Sequence, residues 1–417
     1  MKFVFFLLIQ ICTLSVAIAN QSDVMHFISY GQSLSIGSVA RPIQTDHQRY
    51  NNITFKSGVV YQAYAPNYDR TSFKPLVEDS ITNHGVAIGE TPGSAAADVS
   101  ASFMGEMYYN AGLSFLVTAP SAGGLSIDQI SKNTAPYQRM IQDITAAKKI
   151  TTEEGKTYNV QAILFSHGEE DTHLNTSGEQ YIKKVNSLMR DITIDAKKIT
   201  GQSFAPHFIA YQVASHRYYK KTYPEIAMAQ YKLEQSNKNY TIATPMYIFD
   251  YSIDHLHLRG WSSWMLGAYY GKAYSKKYVR NEDWHPLTIK SAKSYGNYID
   301  VKFNVPVPPI KIDTSAVSIT KNYGFSVRNG YNVEFNVIKE IKITGDDSIR
   351  IFVDDVIPDD AYLTYAFGNN DDVAGGGRIN GARGNIRDSD TFTAESPDGK
   401  DHVLHNWLLI SDVKINK

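Results

Sequence analysis

The feature that most constrains the fold of this chain is an alternation of short apolar runs with amphipathic stretches between about residues 24 and 276. The runs that we expect to be strands are Met25–Tyr30, Leu113–Ala119, Val160–Ser166, His207–Val213 and Met246–Asp250. Between them, apolar residues recur at helical spacing in two stretches. These residues are Tyr137, Met140, Ile141 and Ile144, and then Tyr181, Val185, Leu188 and Ile192. Strand, helix and strand in repetition predict right-handed crossovers and a parallel sheet with helices on both faces.

The pattern changes after about residue 284. Apolar and polar residues alternate in three short segments, within 299–305, 333–337 and 349–353, and turn-rich pieces separate them. This period of two, without a helical period, is typical of antiparallel strands. We therefore expect a three-layer α/β/α domain over residues 20–283 and an accessory antiparallel β-sandwich domain over residues 284–417.

Composition supports a folded protein and excludes some partners. Of the 417 residues, 43% are hydrophobic and 20% are charged, which is enough to bury a sizeable core. The net charge of −1 leaves no basic field for nucleic acid or for an anionic membrane surface. After the first residues, no apolar run is long enough to insert into a bilayer.

The amino terminus has the pattern of an export signal. Lys2 precedes the apolar run Phe3–Val16, and Ala17-Ile18-Ala19 fits a small-x-small cleavage site. The only cysteine, Cys12, lies in this segment and would be removed with it. We therefore expect a signal peptide over residues 1–19 and a mature protein that is periplasmic or secreted and has no disulfide.

Residues suited to acyl transfer follow the predicted strands. Ser33 and Gly123-Gly124 each come directly after a strand, and Asp254 and His257 follow the last one at a spacing of three. The carboxyl ends of parallel strands meet at one edge of a sheet, which is where ligands bind. A serine hydroxyl needs a neighbouring base to remove its proton, and that base works best when a carboxylate orients it. The pattern favours an esterase.

Four blocks in this order resemble those of the SGNH/GDSL hydrolases, and within them the branch of sialate O-acetylesterases and acetyl-xylan esterases. The blocks are Gly31-Gln32-Ser33-Leu34, Gly123-Gly124-Leu125-Ser126-Ile127, His167-Gly168-Glu169-Glu170-Asp171 and Asp254-x-x-His257-Leu258. The resemblance covers roughly residues 24–276 and implies a flavodoxin-like sheet. It also implies Ser33 as the nucleophile, His257 as the general base, Asp254 as the carboxylate that orients the base, and no metal or other cofactor.

The same resemblance implies an oxyanion hole that includes the backbone N–H of Gly124, beside the N–H of Ser33. Fixed donors of this kind stabilise the charge of the transition state by several kcal/mol. SGNH enzymes have an Asn in the third block, and this branch commonly has Gln, whereas this chain has His167. A ring N–H can donate to an oxyanion, and titration of His167 near neutrality would add a pH dependence. Gln32 and Glu169 are expected in supporting positions, with Glu169 accepting backbone N–H bonds that brace the loops.

Other interpretations of the same residues stay open at this point. The cluster of His167, Glu169, Glu170, Asp171 and His173 has the ligand types of a metal site. His255 is a second histidine near Asp254, although the spacing favours His257. Arg378 and Arg383, in a glycine-rich segment, could reach the catalytic cleft and pair with an acidic sugar.

The predicted function is removal of O-acetyl groups from a glycan, with sialic acid as the first candidate and xylan, peptidoglycan or a capsular polysaccharide behind it. One alternative is a glycan-binding protein that has kept the hydrolase fold and lost turnover. The other is a lipid or thioester hydrolase of the same superfamily.

Overall fold

The computed structural model describes residues 22–61, 68–83, 85–368, 375 and 377–417. The predicted signal peptide and Cys12 lie outside these residues. Within them, no helix is both long and apolar enough to cross a lipid bilayer.

The first half of the chain forms a seven-stranded sheet and a separate hairpin. The strands are β1 (Val24–Gly31), β2 (Ile53–Phe55), β3 (Phe73–Pro75), β4 (Ile81–Asn83), β5 (Val86–Ile88), β6 (Ser114–Thr118), β7 (Tyr158–Ser166), β8 (His207–Gln212) and β9 (Tyr240–Pro245). The sheet order is β3-β2-β6-β1-β7-β8-β9, and β4 pairs only with β5. All its pairings are parallel except that of β2 with β3. The central strand β1 is buried along its whole length, as expected of a strand covered on both faces.

Helices cover both faces of this sheet. They are α1 (Pro92–Met104), α2 (Glu106–Asn110), α3 (Ala135–Glu153), α4 (Glu169–His173), α5 (Gly178–Thr200), α6 (Glu225–Ser236) and α7 (Gly260–Tyr274). α1 packs against α7, while α5 lies between α3 and α6. The predicted three-layer arrangement is thereby confirmed.

Local sequence explains the length of α5. The Ser177 hydroxyl accepts the backbone N–H of Gln180 at the start of the helix. Gly201 ends it with a left-handed φ of 79°, a conformation that glycine adopts without strain. The four residues whose spacing predicted this helix are all buried, so the amphipathic pattern identified the correct face.

The predicted strand Met246–Asp250 is wrong. The ninth strand is Tyr240–Pro245, and Met246–Ile248 forms a 3₁₀ turn. Pro245 has no N–H to donate and stands at the end of the strand, where the chain leaves the ladder. The more apolar segment that follows is buried because it packs in the core, so its hydropathy did not distinguish a strand from a turn.

The C-terminal sheet region, residues 288–416, is predominantly antiparallel, which confirms the predicted β-rich second part of the fold. Its strands are β10 (Thr288–Ser294), β11 (Tyr298–Asn304), β12 (Lys311–Ile312), β13 (Phe325–Arg328), β14 (Glu334–Phe335), β15 (Ile338–Gly345), β16 (Ser348–Val353), β17 (Tyr362–Tyr365), β18 (Ile386–Arg387), β19 (Thr393–Glu395), β20 (Asp401–Val403) and β21 (Ser411–Asn416). Eight of them form one sheet in the order β14-β13-β17-β21-β10-β11-β16-β15. The last strand, β21, therefore lies in the middle and pairs with β17 and, in parallel, with β10.

Buried polar contacts join this region to the α/β part. Lys272 of α7 is fully buried, and its ammonium lies 2.9 Å from the Asp390 carboxylate and 2.8 Å from Oδ1 of Asn406. The side-chain amide of Gln212, at the end of β8, exchanges two hydrogen bonds with the backbone of Ile410. Groups this deeply buried are costly unless they are paired, so the two parts of the chain stabilise each other.

Candidate active site

Ser33 begins a 3₁₀ turn, Ser33–Ile36, two residues after the carboxyl end of β1. Gly31 makes this sharp exit possible: its φ is 147°, and a side chain there would overlap the carbonyl oxygen of Ser166 on the neighbouring strand. The N–H of Gln32 then donates to that carbonyl at 3.0 Å. Ser33 is the first residue of the turn, so no earlier residue of the turn offers a carbonyl oxygen to its N–H.

The second block lies directly against Ser33. A methyl group added to Gly123 would lie 3.5 Å from Cβ of Ser33. Gly124 has a left-handed φ of 66°, and the peptide N–H between the two glycines belongs to it. The Ser121 hydroxyl donates to the carbonyl of Gly31, which ties this loop to the end of β1. Both glycines are exposed, so the backbone beside Ser33 is accessible to a ligand.

His167 lies beneath this loop. Its Nε2 donates to the carbonyl oxygen of Leu125 at 3.0 Å, and its Nδ1 lies 3.1 Å from the hydroxyl of Tyr181. Both ring nitrogens therefore have protein partners. Burial lowers the pKa of His167 below its usual range, although the nearby Asp171 carboxylate opposes that shift. Burial therefore favours the neutral form of the ring.

Asp171 has the bracing contact that the sequence led us to expect of Glu169. Its Oδ2 accepts the backbone N–H of Ile127 at 2.8 Å, and its Oδ1 accepts the hydroxyl of Thr176. A buried carboxylate that accepts a loop N–H fixes the loop strongly, because the bond is charge-assisted. The sequence identified the block that contains Asp171. Residue type alone could not tell which of its acidic side chains, Glu169 or Asp171, accepts the loop N–H.

Glu169 is buried and accepts the hydroxyl of Tyr211, a residue that the sequence did not single out, at 2.7 Å. Burial raises the pKa of Glu169 to about 7, against the effects of the Tyr211 bond and of the charge on His257. The N–H of Glu170 lies 3.3 Å from Oε1 of Gln32, which joins the third block to the first.

The fourth block presents a carboxylate and an imidazole in contact. Nδ1 of His257 lies 2.7 Å from Oδ2 of Asp254, and Oδ1 of the same carboxylate accepts the N–H groups of His257 and Leu256. Partial burial would raise the pKa of Asp254, but these hydrogen bonds lower it to about 2. The carboxylate is therefore ionised, and it holds the proton of the imidazole on Nδ1. His255 has a positive φ of 57° and is exposed beside this pair.

The C-terminal sheet region reaches the segment that carries this pair. The N–H of Arg378 donates to the carbonyl of Phe249 at 3.1 Å, and its guanidinium pairs with Asp250 at 2.8 Å. A methyl group at Gly375 would lie 2.6 Å from Cβ of His255. By contrast, the buried guanidinium of Arg383 donates to the carbonyls of Ser318, Gly381 and Ile319. Arg383 is thus held by the backbone of its own region.

The five residues considered as a possible metal site contact different partners. His167, Glu169 and Asp171 make the separate contacts described above, whereas Glu170 and His173 face each other at 3.6 Å near the surface. Across the described part of the chain, no three His, Cys, Asp or Glu side chains are arranged to hold a metal ion.

Comparison with known proteins identifies the relatives of this chain. Residues 26–276 match the family model described as carbohydrate esterase, sialic acid-specific acetylesterase. This range includes all four blocks. No curated protein sequence matches the chain significantly.

Solved structures resemble this chain to different degrees. The carbohydrate acetylesterase XAC1771 from Xanthomonas citri is 14% identical with a TM-score of 0.58, over 94% of this chain and 80% of that one. A protein from Arabidopsis thaliana is 17% identical with a TM-score of 0.46, over 61% of this chain and 98% of its own. NanS is 15% identical with a TM-score of 0.39, over 54% and 78%. The likeness to the first structure extends through the C-terminal sheet region, and at this identity it establishes the fold.

Proposed function

Because this chain belongs to the carbohydrate esterase family of sialic acid-specific acetylesterases, we propose that it is a serine esterase that removes acetyl groups from O-acetylated carbohydrate. Carboxylic ester hydrolysis is the activity of the family, and the proposal adds the residues and the substrate. The observation that carries the mechanism is the 2.7 Å contact between Nδ1 of His257 and Asp254. With Nδ1 bonded to the carboxylate, Nε2 is the nitrogen that accepts a proton.

In the proposed reaction, Oγ of Ser33 attacks the acetyl carbonyl carbon while Nε2 of His257 takes the hydroxyl proton. The tetrahedral intermediate then breaks its bond to the sugar oxygen, which receives that proton from His257. Water attacks the acetyl-serine by the same route, and this second step releases acetate and restores Ser33. The ionised Asp254 stabilises the imidazolium that forms in each half-reaction.

For the oxyanion we propose the N–H groups of Ser33 and Gly124 as donors. The support is that the Gly123–Gly124 turn lies against Ser33 and is exposed on its other side. We propose that His167 acts behind this loop instead of donating to the oxyanion, since its Nε2 already donates to Leu125.

Sialic acid is the first candidate for the sugar, on the strength of the family description, and xylan and peptidoglycan follow it. We also propose that the protein is exported, with cleavage after Ala19, because residues 1–19 have the pattern of a signal peptide. Amino-terminal sequencing of the exported protein should begin at Asn20, and an intact Met1 would contradict export by this route.

The test is acetate release from O-acetylated sialic acids, acetyl-xylan and O-acetylated peptidoglycan, with p-nitrophenyl acetate as the sugar-free ester. Ser33→Ala should abolish release from every ester, while the exposed Ser203→Ala should match the wild type. Activity that survives in Ser33→Ala would overturn the serine mechanism. Hydrolysis of p-nitrophenyl acetate alone would overturn the carbohydrate substrate.

A further inference from the structure

An aromatic surface lies at the end of α4, the helix whose first turn contacts Gln32. The imidazole of His173, at the end of α4, stacks on the ring of Tyr219 with centroids 5.1 Å apart and an interplanar angle of 19°. The ring of Tyr218 meets Tyr219 edge-on at 4.9 Å. The His173 side chain is 59% exposed, and both tyrosines are half-buried. We call these three residues the aromatic ledge.

Two contacts connect the ledge to the residue before the proposed nucleophile. His173 lies 3.6 Å from Glu170, whose N–H lies 3.3 Å from the side-chain oxygen of Gln32, the residue before Ser33. Burial raises the pKa of Tyr219 above its usual range, and the carboxylates of Glu169 and Glu170 add to that rise. The ledge and the residue before Ser33 therefore contact the same residue, Glu170.

The turn that carries the tyrosines is preorganised. The N–H of Lys221 donates to the carbonyl of His216, and the N–H of Lys220 donates to that of Arg217. Lys220 has a left-handed φ of 58°. This conformation and the two hydrogen bonds together form the Schellman pattern that ends a helical turn. The buried His216 donates from Nε2 to the carbonyl oxygen of Phe367 in the C-terminal sheet region. The ledge is thus held in place before any ligand arrives.

The segments that carry the ledge also line a cavity of about 480 Å³. Its walls include hydroxyl and amide side chains together with two lysines. They are Thr172, Asn175, Thr176, Thr222, Lys220 and Lys221. A pyranose ring has apolar C–H faces and a rim of hydroxyl groups, so it packs on an aromatic face and hydrogen-bonds at its edge.

We propose that the aromatic ledge binds the sugar ring of the substrate glycan and places its acetyl ester at Ser33. This inference rests on the proposed function and names the residues that would select a carbohydrate ester over a simple one. His173 and Tyr219 supply the stacked surface, and the polar cavity beside them receives hydroxyl groups of the glycan.

The experiment compares Tyr219→Ala with the wild type on O-acetylated sialic acid, acetylated xylo-oligosaccharides and p-nitrophenyl acetate. KM for the hydrolysed sugar ester should rise about tenfold, and the loss in kcat/KM should exceed that on p-nitrophenyl acetate by a similar factor. Tyr219→Phe keeps the ring and should retain the wild-type preference. The control is Tyr295→Ala, which removes an exposed, stacked tyrosine of the C-terminal sheet region and should behave as the wild type.

Equal losses on the sugar ester and on p-nitrophenyl acetate would show that Tyr219 only supports the fold, and would overturn the ledge. A Tyr219→Ala enzyme with unchanged KM for the sugar ester would also overturn it, while leaving the proposed function intact. If the wild type releases no acetate from any sugar ester, the carbohydrate substrate itself is wrong, and the ledge falls with it.

Discussion

The guanidinium of Arg378 lies 2.8 Å from the carboxylate of Asp250, four residues before Asp254. This pair joins the C-terminal sheet region to the segment that leads into the proposed catalytic loop. Arg378 also donates to the carbonyls of Phe249, through its N–H, and of Ala316, through its guanidinium. A residue more than a hundred positions downstream therefore contacts the segment that leads to Asp254 and His257.

Arg378→Ala should lower kcat by about 10–100-fold and change KM by no more than about twofold, because a displaced base impairs proton transfer without removing a substrate contact. Arg378→Lys keeps the charge opposite Asp250 and should recover part of the rate. Steady-state kinetics on p-nitrophenyl acetate measure both effects. The control is Arg350→Ala, which breaks the half-exposed pair with Asp300 in the same region and should leave kcat unchanged. A rise in KM alone would indicate that Arg378 contacts substrate instead.

His167→Gln should keep most of the activity, since an amide can still donate to the carbonyl of Leu125. His167→Leu cannot donate, and it should destabilise the protein by roughly 1–3 kcal/mol and lower kcat at the same time. Because burial keeps His167 neutral, the pH profile of kcat should be the same in His167→Gln as in the wild type. Loss of an ionisation from that profile would show that His167 titrates during catalysis.

Glu78 and Glu90 form a buried pair of acids near α1. Burial raises the pKa of both carboxyls above their ordinary value, and their mutual repulsion raises that of Glu78 further. Unfolded, Glu78 loses its proton near pH 4.5, whereas folded it keeps it up to about pH 8. Over that window the native state binds more protons than the unfolded chain, so stability should fall as pH rises.

Glu78→Gln removes one of these titrations and can still accept bonds from Thr91 and Ser94 through its amide oxygen. The urea concentration at which half of the Glu78→Gln protein is unfolded should therefore decline less than that of the wild type between about pH 5 and about pH 8. Exposed Glu153→Gln is the control and should decline as the wild type does. A steeper decline in Glu78→Gln would contradict the raised pKa.

Lys272→Met leaves the buried Asp390 with Lys276, at 3.4 Å, as its remaining cationic partner among the described residues. Removing one member of a buried pair lowers the free energy of unfolding by roughly 3–5 kcal/mol, and we expect a loss near the lower end of that range. The matched change Lys302→Met breaks an exposed pair with Asp347 and should cost less than about 1 kcal/mol. Denaturant unfolding with far-ultraviolet circular dichroism measures both. Equal costs would mean that the inter-region contact adds no stability.

Much of the α/β fold could be predicted from sequence, because the periodicities of the chain are local. The helical spacing of Tyr181, Val185 and Leu188 identified the buried face of α5, and the apolar run before Ser33 identified β1. The ninth strand was missed because Met246–Asp250 is more apolar than Tyr240–Pro245, and hydropathy reports burial rather than backbone conformation.

The contact between Asp254 and His257 was predictable, because a spacing of three residues keeps the two side chains close together. The site was not predictable where a contact joins distant residues of ordinary type. Nothing local marks Asp250 as the partner of Arg378, or Tyr219 as the ring beneath His173. The roles given to Glu169 and Asp171 could not be distinguished either, since which of two neighbouring acids faces a loop N–H depends on the exact direction of α4.

The middle position of β21 has a consequence for how the protein is made. Residues 411–416 join β17 to β10, so the eight-stranded sheet remains in two parts until β21 is available. A nascent polypeptide can form the parallel sheet first, but Arg378 reaches its place beside Asp250 as part of a region that this strand completes. Synthesis order would therefore delay the contact between Arg378 and Asp250 until residues 411–416 have emerged from the ribosome.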